Sequence, residues 1–419
     1  MKIHPSKRVL LCIFLIVAFF YGYDPLIRSS IQSMVNPLMN SLNTNATGIG
    51  VISGSYLYAY VLMQIPSGIL MDWMGLKRLF ILAVSVCSIA LIAFALSSSV
   101  ESASISRAVI GAFAAASTIV GFGAVLKYFP VASAPVLIGI VQFSGTIGDV
   151  ISGYPVATSV SNIGWRYTSI IIALIGLFVV LLVSIKLPSL QQYEKTKLKF
   201  NEQVRNLMPT FKNRQVWVCI GFAFFIWTPV QLFAGLWGTS AVALQYHLPI
   251  ESAAAYVSAT WFGVGIGSIL IGIMTNFLKS YRIPLVFFTS IGLIFSFVLF
   301  GSFTLPLWLL PIVFFIYGTS ASGQALSFAV LGRVIEKENI GIMTAINNMA
   351  VMLSSAILDP VVGWLIDLHS SNTHNSLSSY TISDFNYAFS IIPVLFVIPL
   401  LLSFFIRVSY GIKDNHATT

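Results

Sequence analysis

Charged residues are scarce in this 419-residue chain, at 8% of the total against 57% hydrophobic residues. A soluble domain usually carries about 25% charged residues, so the composition excludes one. Histidine is also rare, and its positions exclude a metal site or a histidine proton relay within the apolar runs. All five histidines lie at the termini or in polar loops: His4, His247, His369, His374 and His416.

Neither the cysteines nor any phosphate-binding motif indicates a catalytic or cofactor site. Cys12, Cys87 and Cys219 stand singly inside apolar runs, without the spacing of a metal site or a disulfide framework, and are interpreted as small buried hydrophobes. The sequence has no glycine-rich phosphate loop and no other enzymatic constellation. It therefore predicts neither an enzyme nor an ATP-driven pump, and no cofactor.

Long apolar runs recur from end to end. Each has roughly 20 residues, enough to cross a hydrocarbon core of about 30 Å. The run after Lys7 and Arg8 lacks a small-residue cleavage site, so it is interpreted as a retained first helix rather than a signal peptide. We predict an all-α membrane protein in the lipid bilayer with twelve spans: 9–36, 48–73, 79–98, 105–127, 135–158, 166–186, 216–243, 252–276, 283–301, 306–331, 340–366 and 386–408.

The basic residues lie on one side of these spans, which accounts for the net charge of +9 without nucleic acid as a partner. The loops on the other side (40–47, 99–104, 159–165, 244–251, 302–305 and 367–385) contain no Lys or Arg. By the positive-inside rule both termini are predicted to be cytoplasmic. Outside the loop 187–215, the basic residues of that side are Lys2, Lys7, Arg8, Lys77, Arg78, Lys127, Lys279, Arg282, Arg333, Lys337, Arg407 and Lys413.

The two halves of the chain resemble each other. "GILMD" (68–72) matches "GIMTN" (272–276), "FGAVLKYF" (122–129) matches "SFAVLGRV" (327–334), and "GYP" (153–155) matches "LDP" (358–360). The offsets are 204, 205 and 205, so an internal duplication is predicted. It gives a six-helix bundle over 1–186, a basic cytoplasmic linker over 187–215 and a second bundle over 216–419. Parallel repeats place a substrate site between the halves near the midplane.

The segment "GILMDWMGLKR" (68–78) resembles the signature loop of the major facilitator superfamily, Gly-x-x-x-Asp-Arg-x-Gly-Arg-Lys/Arg, although Trp73 and Leu76 replace two of its basic residues. "RAVIGAFAA" in the fourth span, "GWR" (164–166) and "GLWG" (235–238) also resemble this family. The resemblance covers essentially the whole chain. It implies the twelve-helix major facilitator fold and a secondary transporter. It also implies a set of conformational gating residues: Gly68, Asp72, Gly75, Lys77, Arg78 and Arg107.

Asp24 and Arg28 stand one helical turn apart in the first apolar run. Inserting a charged residue near the bilayer centre costs at least ~2.5–3.5 kcal/mol, so such a residue normally has an ion-pair partner or a function. The two residues could satisfy each other. Alternatively, Arg28 faces the central cleft and binds an anionic group through its planar fork. Asp24 would then carry a proton or contact a substrate cation.

The resemblance favours the second interpretation. In the organophosphate and organic-anion branches of the superfamily, a first-helix arginine lies a little over forty residues before the signature acid, and Arg28 precedes Asp72 by 44. Organophosphate exchangers carry a second arginine in the seventh helix, where this chain has Gln231 and Leu232. The resemblance therefore implies a single carboxylate. Amino-acid permeases of intracellular bacteria show a similar general pattern.

Other polar residues lie at a depth suited to the cleft, and each could instead join helices by hydrogen bonds. Asp149 and Asp359 join Asp24 as candidate proton-coupling residues, although Asp359 lies near the outer end and could merely reach water. Arg107 could be a partner for Asp24 or Asp149. The predicted substrate-binding residues are Arg28, Tyr56, Tyr60, Gln64, Gln142, Gln231, Gln324, Asn347 and Asn348.

The predicted function is proton-coupled uptake of a small carboxylate-bearing nutrient (an amino acid, small peptide or organic acid) by alternating access. The protein is predicted to be a monomer in a bacterial inner membrane. "GTIGDVISGYP" places Asp149 where superfamily exporters have proline, which weakens an efflux reading. The alternatives are export of a metabolite, drug or carboxylate siderophore, organophosphate exchange, and a receptor without flux.

Overall fold

The computed structural model describes residues 7–129, 134–187, 210–299, 304–335, 340–370 and 379–408. All regular structure in these ranges is helical, so the predicted all-α class is confirmed. Most of the predicted linker 187–215 lies outside the described residues. The boundaries of the two six-helix bundles stay a prediction.

Sixteen α-helices cover the described ranges, interrupted by short 3₁₀ segments and one π-helical turn. Ser30–Ser33, Thr210–Lys212 and Ser320–Ser322 are 3₁₀, and Phe233–Trp237 is π-helical. The α-helices are α1 Lys7–Ser29, α2 Val35–Leu42, α3 Ala46–Ala95, α4 Val100–Ala114, α5 Ala116–Tyr128, α6 Ala134–Ser152, α7 Tyr154–Lys186, α8 Arg214–Leu232, α9 Gly238–Tyr246, α10 Ile250–Leu278, α11 Arg282–Leu299, α12 Leu310–Thr319, α13 Gly323–Val334, α14 Ile340–His369, α15 Ile382–Phe389 and α16 Ile391–Phe405.

Eleven stretches of the described chain are long and apolar enough to cross a membrane. The longest, Leu137–Lys186, has 50 residues, more than twice the ~20 that one crossing needs. Gly164 interrupts α7 with a φ of 82°, so this stretch makes two crossings. Gly75 interrupts α3 in the same way and separates the second crossing from the third. The described residues thus make twelve crossings, numbered here in chain order.

The first and seventh crossings are interrupted at equivalent places. Pro25 lies inside α1 and Pro229 inside α8, 204 residues apart. Proline lacks the backbone donor that an α-helix needs, so it weakens the helix locally. The 3₁₀ segment Ser30–Ser33 follows the first proline, and the π-helical turn Phe233–Trp237 follows the second. Both crossings therefore change helical geometry partway through the bundle.

Left-handed backbone positions also repeat. Asn43 (φ 49°) and His247 (φ 51°) end helices 204 residues apart, and Gly75 (φ 78°) and Lys279 (φ 50°) are separated by the same 204 residues. A residue other than glycine seldom adopts a positive φ. Turns of this kind at a constant spacing agree with the predicted duplication.

We call the end of the bundle that carries Lys7, Lys77 and Lys279 the basic end, and the other the opposite end. Among the described residues, Arg166 departs from the predicted charge asymmetry, because it lies at the opposite end. Its Nη2 donates to the Ser97 carbonyl (2.9 Å), and its guanidinium covers the Trp165 ring. The cytoplasmic assignment of the basic end stays a prediction.

The first six and last six crossings touch closely near the opposite end. A Cβ on Gly50 would come within 2.7 Å of the Asp359 carbonyl oxygen, and one on Gly54 within 3.0 Å of the Ala356 carbonyl oxygen. Such Gly-x-x-x-Gly spacing lets two helix backbones approach. A Cβ on Gly363 would similarly meet the backbone of Ala46. The second and eleventh crossings are therefore in backbone contact over this part of their length.

Candidate functional site

A group of charged side chains is buried among the first six crossings. Asp24, in α1 just before Pro25, accepts hydrogen bonds from the Tyr56 hydroxyl in the second crossing and from Ser117 Oγ in the fourth (2.7 Å to Oδ2). Both carboxylate oxygens are thus occupied by hydroxyl groups of neighbouring helices. The alternative in which Asp24 and Arg28 simply satisfy each other is wrong, since Arg28 has a different partner.

That partner is Asp149 in the fifth crossing. Arg28 Nη2 lies 3.4 Å from Asp149 Oδ1, and Ser29 Oγ donates to the same oxygen at 2.6 Å. Both charged side chains are buried. The ion pair therefore joins the first crossing to the fifth, and the predicted proton-coupling residue Asp149 contacts the predicted anion anchor directly.

The rest of the Arg28 guanidinium points toward the last six crossings. Its Nη1 lies 3.8 Å from the Met352 sulfur in the eleventh crossing, and its Nε has no hydrogen-bond partner among the described residues. A guanidinium offers five donors, and a thioether is a weak acceptor. Arg28 is consequently a buried cation between the two sets of crossings with donors to spare for an anion.

Arg107 makes a different set of contacts. Its Nη1 and Nη2 donate to the carbonyl oxygens of Ile27 (2.9 Å) and Arg28 (3.1 Å), where α1 gives way to the 3₁₀ segment. Its guanidinium also covers the Tyr56 ring at 4.8 Å. The alternative role as a carboxylate partner is therefore wrong: Arg107 binds backbone groups released by the helix break. Its predicted part in gating stays a prediction.

Asp359 does not reach water. Its side chain is fully buried, Ser53 Oγ donates to Oδ2 at 2.7 Å, and Oδ1 has no hydrogen-bond partner among the described residues. The reason is the close approach at Gly50 and Gly54, which brings the second crossing over this carboxylate. A buried carboxylate with a free oxygen remains a candidate for carrying a proton.

The remaining predicted substrate-binding residues have mixed surroundings. Tyr60 bonds to Thr118 (2.9 Å), and Asn347 Nδ2 donates to Ser327 (2.9 Å). Gln142 and Gln324 are half-buried. Several buried amide atoms have no hydrogen-bond partner of good geometry within the described ranges: both Gln64 atoms, Gln231 Oε1, Asn347 Oδ1 and Asn348 Nδ2.

Sequence reasoning missed several contributors to this cluster. Ser29, Ser117 and Ser53 supply hydroxyl donors to Asp149, Asp24 and Asp359 respectively, and Met352 supplies the contact across the two sets of crossings. Met352 stands four residues after Asn348, so both lie on one face of α14. That spacing was a usable signal. The hydroxyl contacts depend on tertiary packing and left no mark in the sequence.

The predicted signature loop forms the turn between the second and third crossings. Gly75 has φ 78° and ψ 171°, a conformation that only glycine adopts readily. Lys77 Nζ donates to the carbonyl oxygens of Ser184 (3.1 Å) and Leu187 (2.5 Å), at the carboxyl end of α7, where a cation is favourable. Arg78 is exposed, and a Cβ on Gly68 would meet no atom within 4 Å. The Asp72 side chain lies outside the described residues.

A twelve-crossing bundle with charged side chains buried where its two sets of six meet defines a multi-pass membrane transporter. Residues 9–358 match the family model of the Major Facilitator Superfamily, and the chain belongs to that family. The expected family is thus confirmed. Because the members of this family are transporters, the chain is not an enzyme.

Similar proteins agree with this assignment. The chain is 25% identical to the hexuronate transporter of Bacillus subtilis (strain 168) over 374 residues, which are 85% of this chain and 87% of that protein. Among solved structures, it resembles a bacterial homologue of the human lysosomal transporter Spinster in an inward-facing, unoccupied conformation (TM-score 0.78, 17% identity, 96% of this chain and 98% of the other). It also resembles a D-xylose–proton symporter (TM-score 0.72, 14% identity, 97% and 99%). These structures show the shared fold.

Proposed function

We propose that the protein imports a small molecule with a single carboxylate by proton-coupled alternating access. The observation that carries the proposal is the position of Arg28, buried between the two sets of crossings: its Nη1 meets only the Met352 sulfur of the eleventh crossing, and its Nε has no hydrogen-bond partner among the described residues. A planar guanidinium binds a carboxylate through two parallel hydrogen bonds. Arg28 is accordingly the anchor for the substrate carboxylate.

The surroundings of Arg28 favour a monoanion over a phosphate dianion. Met352 faces it across the interface, and the seventh crossing has Gln231 and Leu232 where organophosphate exchangers carry their second arginine. A dianion would meet one available cation, since both terminal nitrogens of Arg107 are bound to carbonyl oxygens. A monocarboxylate needs no second cation.

The last six crossings supply neutral groups. The unpaired amide atoms of Gln231, Asn347 and Asn348 suit hydroxyl groups of a ligand better than a second charge. A hexuronate, the substrate named for the Bacillus subtilis relative, is a sugar acid with one carboxylate and several hydroxyls. We therefore place sugar acids and other hydroxylated organic acids first, ahead of amino acids and small peptides.

Proton coupling follows from competition for Arg28. Asp149 and a substrate carboxylate would share the same guanidinium, so a substrate that displaces Asp149 leaves a buried carboxylate without its cation. Uptake of a proton removes that unfavourable charge. Asp24, buried among the first six crossings, and Asp359, where the second and eleventh crossings meet, are the other candidate carboxyls for the proton. The direction of transport then follows the proton gradient into the cell.

The close contacts between the second and eleventh crossings described above lie between the middle of the bundle and its opposite end. With the basic end in the cytoplasm, this arrangement corresponds to an inward-facing state. Orientation is tested with single cysteines at Lys197 and Asn372 and a membrane-impermeant thiol reagent on whole cells. We expect labelling at position 372 alone, and labelling at 197 alone would reverse the orientation.

Substrate class and direction are tested on purified protein. A thermal-shift screen should compare sugar acids, amino acids, small peptides and sugar phosphates, because a ligand at 100 times its Kd stabilises by about 2.7 kcal/mol. We expect stabilisation by a sugar acid in the native protein and none in Arg28→Ala. Proteoliposomes with an imposed pH gradient then show whether that compound accumulates on the alkaline side. Stabilisation by sugar phosphates alone, or accumulation without dependence on the gradient, would contradict the proposal.

A further inference from the structure

We propose that Asp367 is a clasp that holds the opposite end of the transporter closed. Asp367 lies near the end of α14, in the eleventh crossing, and reaches the first residues of α3. Its carboxylate accepts the backbone N–H of Ala46 (3.2 Å) and of Thr47 (2.8 Å) as well as the Thr47 hydroxyl. The first N–H groups of a helix have no partner within the helix and favour a negative charge. One carboxylate thus ties the last six crossings to the first six.

Tyr380 completes the clasp from the loop before the twelfth crossing. Its hydroxyl donates to Asp367 Oδ1 at 2.6 Å and accepts the Ala46 N–H at 3.1 Å. The side chain is buried, and both burial and the neighbouring Asp367 raise the pKa of Tyr380. The phenol therefore remains protonated and continues to donate to the carboxylate.

The equivalent contact on the other side of the bundle lacks a clasp. At the repeat offset of 205, Asn162 at the end of the fifth crossing corresponds to Asp367, and at 204 Ile250 corresponds to Ala46. Asn162 is exposed and donates to the Thr158 carbonyl in its own helix (2.9 Å). A cavity of about 420 Å³, lined in part by Ser161 and Ile250, lies there. One side of the opposite end is held by a charge, and the other is loosely packed.

This asymmetry gives Asp367 a role in the transport cycle, which rests on the alternating-access proposal. Opening the opposite end must separate Asp367 from three donor groups on the second crossing together. Each is a hydrogen bond to a charged acceptor, the stronger kind in proteins. The carboxylate consequently sets how often the opposite end opens without substrate.

Asp384 provides a matched control. It is a buried aspartate at the same end of the bundle, but its partners are Thr381 N–H (2.7 Å), Thr381 Oγ1 (2.9 Å) and His369 Nδ1 (2.7 Å). All of these belong to the last six crossings. Asp384→Asn therefore perturbs a similar local network without removing any donor or acceptor of the contact between the two sets of crossings.

The test measures distances between paired spin labels in the full-length protein without substrate, after replacement of its three cysteines by alanine or serine. One pair, at Asn40 and Trp308, reports on the opposite end. The other, at Trp73 and Phe277, reports on the basic end. All four side chains are exposed. In Asp367→Asn we expect the population with a wide opposite end to rise at least about tenfold, with a shorter distance at the basic end.

Asp384→Asn should leave both distance distributions unchanged. Equal distributions in Asp367→Asn and the native protein would overturn the clasp, as would the same shift in both variants. If Asp367→Asn does not fold, Thr47→Val removes one of its donors and should give a smaller shift in the same direction. Because no substrate is present, failure of the carboxylate proposal would leave these results unaffected.

Discussion

The first six and last six crossings share a repeated backbone but differ in the residues buried at corresponding positions. The interrupting prolines and the left-handed turns repeat at a spacing of 204 residues, yet the buried charges of the first copy have neutral counterparts in the second. At the observed offsets Asp24, Arg28 and Asp149 correspond to Thr228, Leu232 and Ser354.

In the last six crossings, the two corresponding neutral residues bond to each other. Thr228 Oγ1 donates directly to Ser354 Oγ at 2.5 Å, joining the seventh crossing to the eleventh. In the first six crossings the corresponding aspartates do not bond to each other. Asp24 accepts a hydrogen bond from Ser117, and Asp149 accepts one from Ser29 and pairs with Arg28. The comparison indicates that the two sets of crossings repeat the same backbone interruptions, whereas the buried ion pair of Arg28 and Asp149 occurs in the first set and a neutral hydroxyl pair takes the corresponding place in the second.

The largest effect is expected from removing the charge that distinguishes the copies. Arg28→Ala should abolish substrate binding and also leave Asp149 unpaired, at a cost of about 3–5 kcal/mol in stability. Arg28→Lys keeps the charge but loses the two-pronged geometry, so substrate affinity should fall markedly. Substrate-induced thermal shifts measure both.

Two further variants separate binding from folding. Arg28→Gln with Asp149→Asn removes both charges and should fold without binding substrate. Leu232→Met conserves volume at the corresponding place and should retain binding, with a stability change below about 1.5 kcal/mol. Transport by the double variant would show that Arg28 serves only its ion pair.

A smaller effect is expected at the aspartates and their neutral counterparts. Asp149→Asn should lose pH-driven accumulation but keep substrate exchange, because the amide cannot take up the proton that follows displacement of the carboxylate from Arg28. Thr228→Val removes the hydroxyl that bonds to Ser354 and to the Phe224 carbonyl (2.6 Å), costing about 1 kcal/mol, and should retain both activities. Counterflow and gradient-driven uptake in proteoliposomes distinguish them. If Asp24→Asn and Asp149→Asn both accumulate substrate normally, proton coupling must lie elsewhere, and Asp359 is the next candidate.

The smallest effect concerns the repeated turn. Gly75→Ala places a Cβ at φ 78° and ψ 171° and should lower the free energy of unfolding by about 1–3 kcal/mol. Lys279 has φ 50° and ψ 36°, the ordinary left-handed region, so Lys279→Gly should change it by no more than about 1 kcal/mol. Thermal unfolding in detergent compares the two variants. Equal losses would mean that the two turns carry the same strain.

The twelve crossings and the duplication could be predicted from the sequence because both are local properties. Apolar length fixes each crossing, and the matched segments fix the repeat. Gly75 and Gly164 were also readable, since each stands between two apolar runs and only glycine suits the turn.

The partners of the buried charges could not be predicted, since they depend on how helices pack. Spacing alone suggested that Asp24 pairs with Arg28, whereas the fifth crossing brings Asp149 to Arg28. The burial of Asp359 did have a signal in Gly50 and Gly54, whose spacing favours close helix contact. The hydrogen bond between the Ala46 N–H and the Tyr380 hydroxyl had no signal in the sequence.

The balance of charge around Arg28 determines how transport responds to membrane potential. In the proposed mechanism a substrate carboxylate enters with one proton, so binding adds no net charge to the site, whatever its resting charge. Moving a charge through 100 mV is worth about 2.3 kcal/mol, and this neutral pair neither gains nor loses that energy. We therefore expect uptake to follow the pH difference alone and to be unchanged by an imposed potassium diffusion potential.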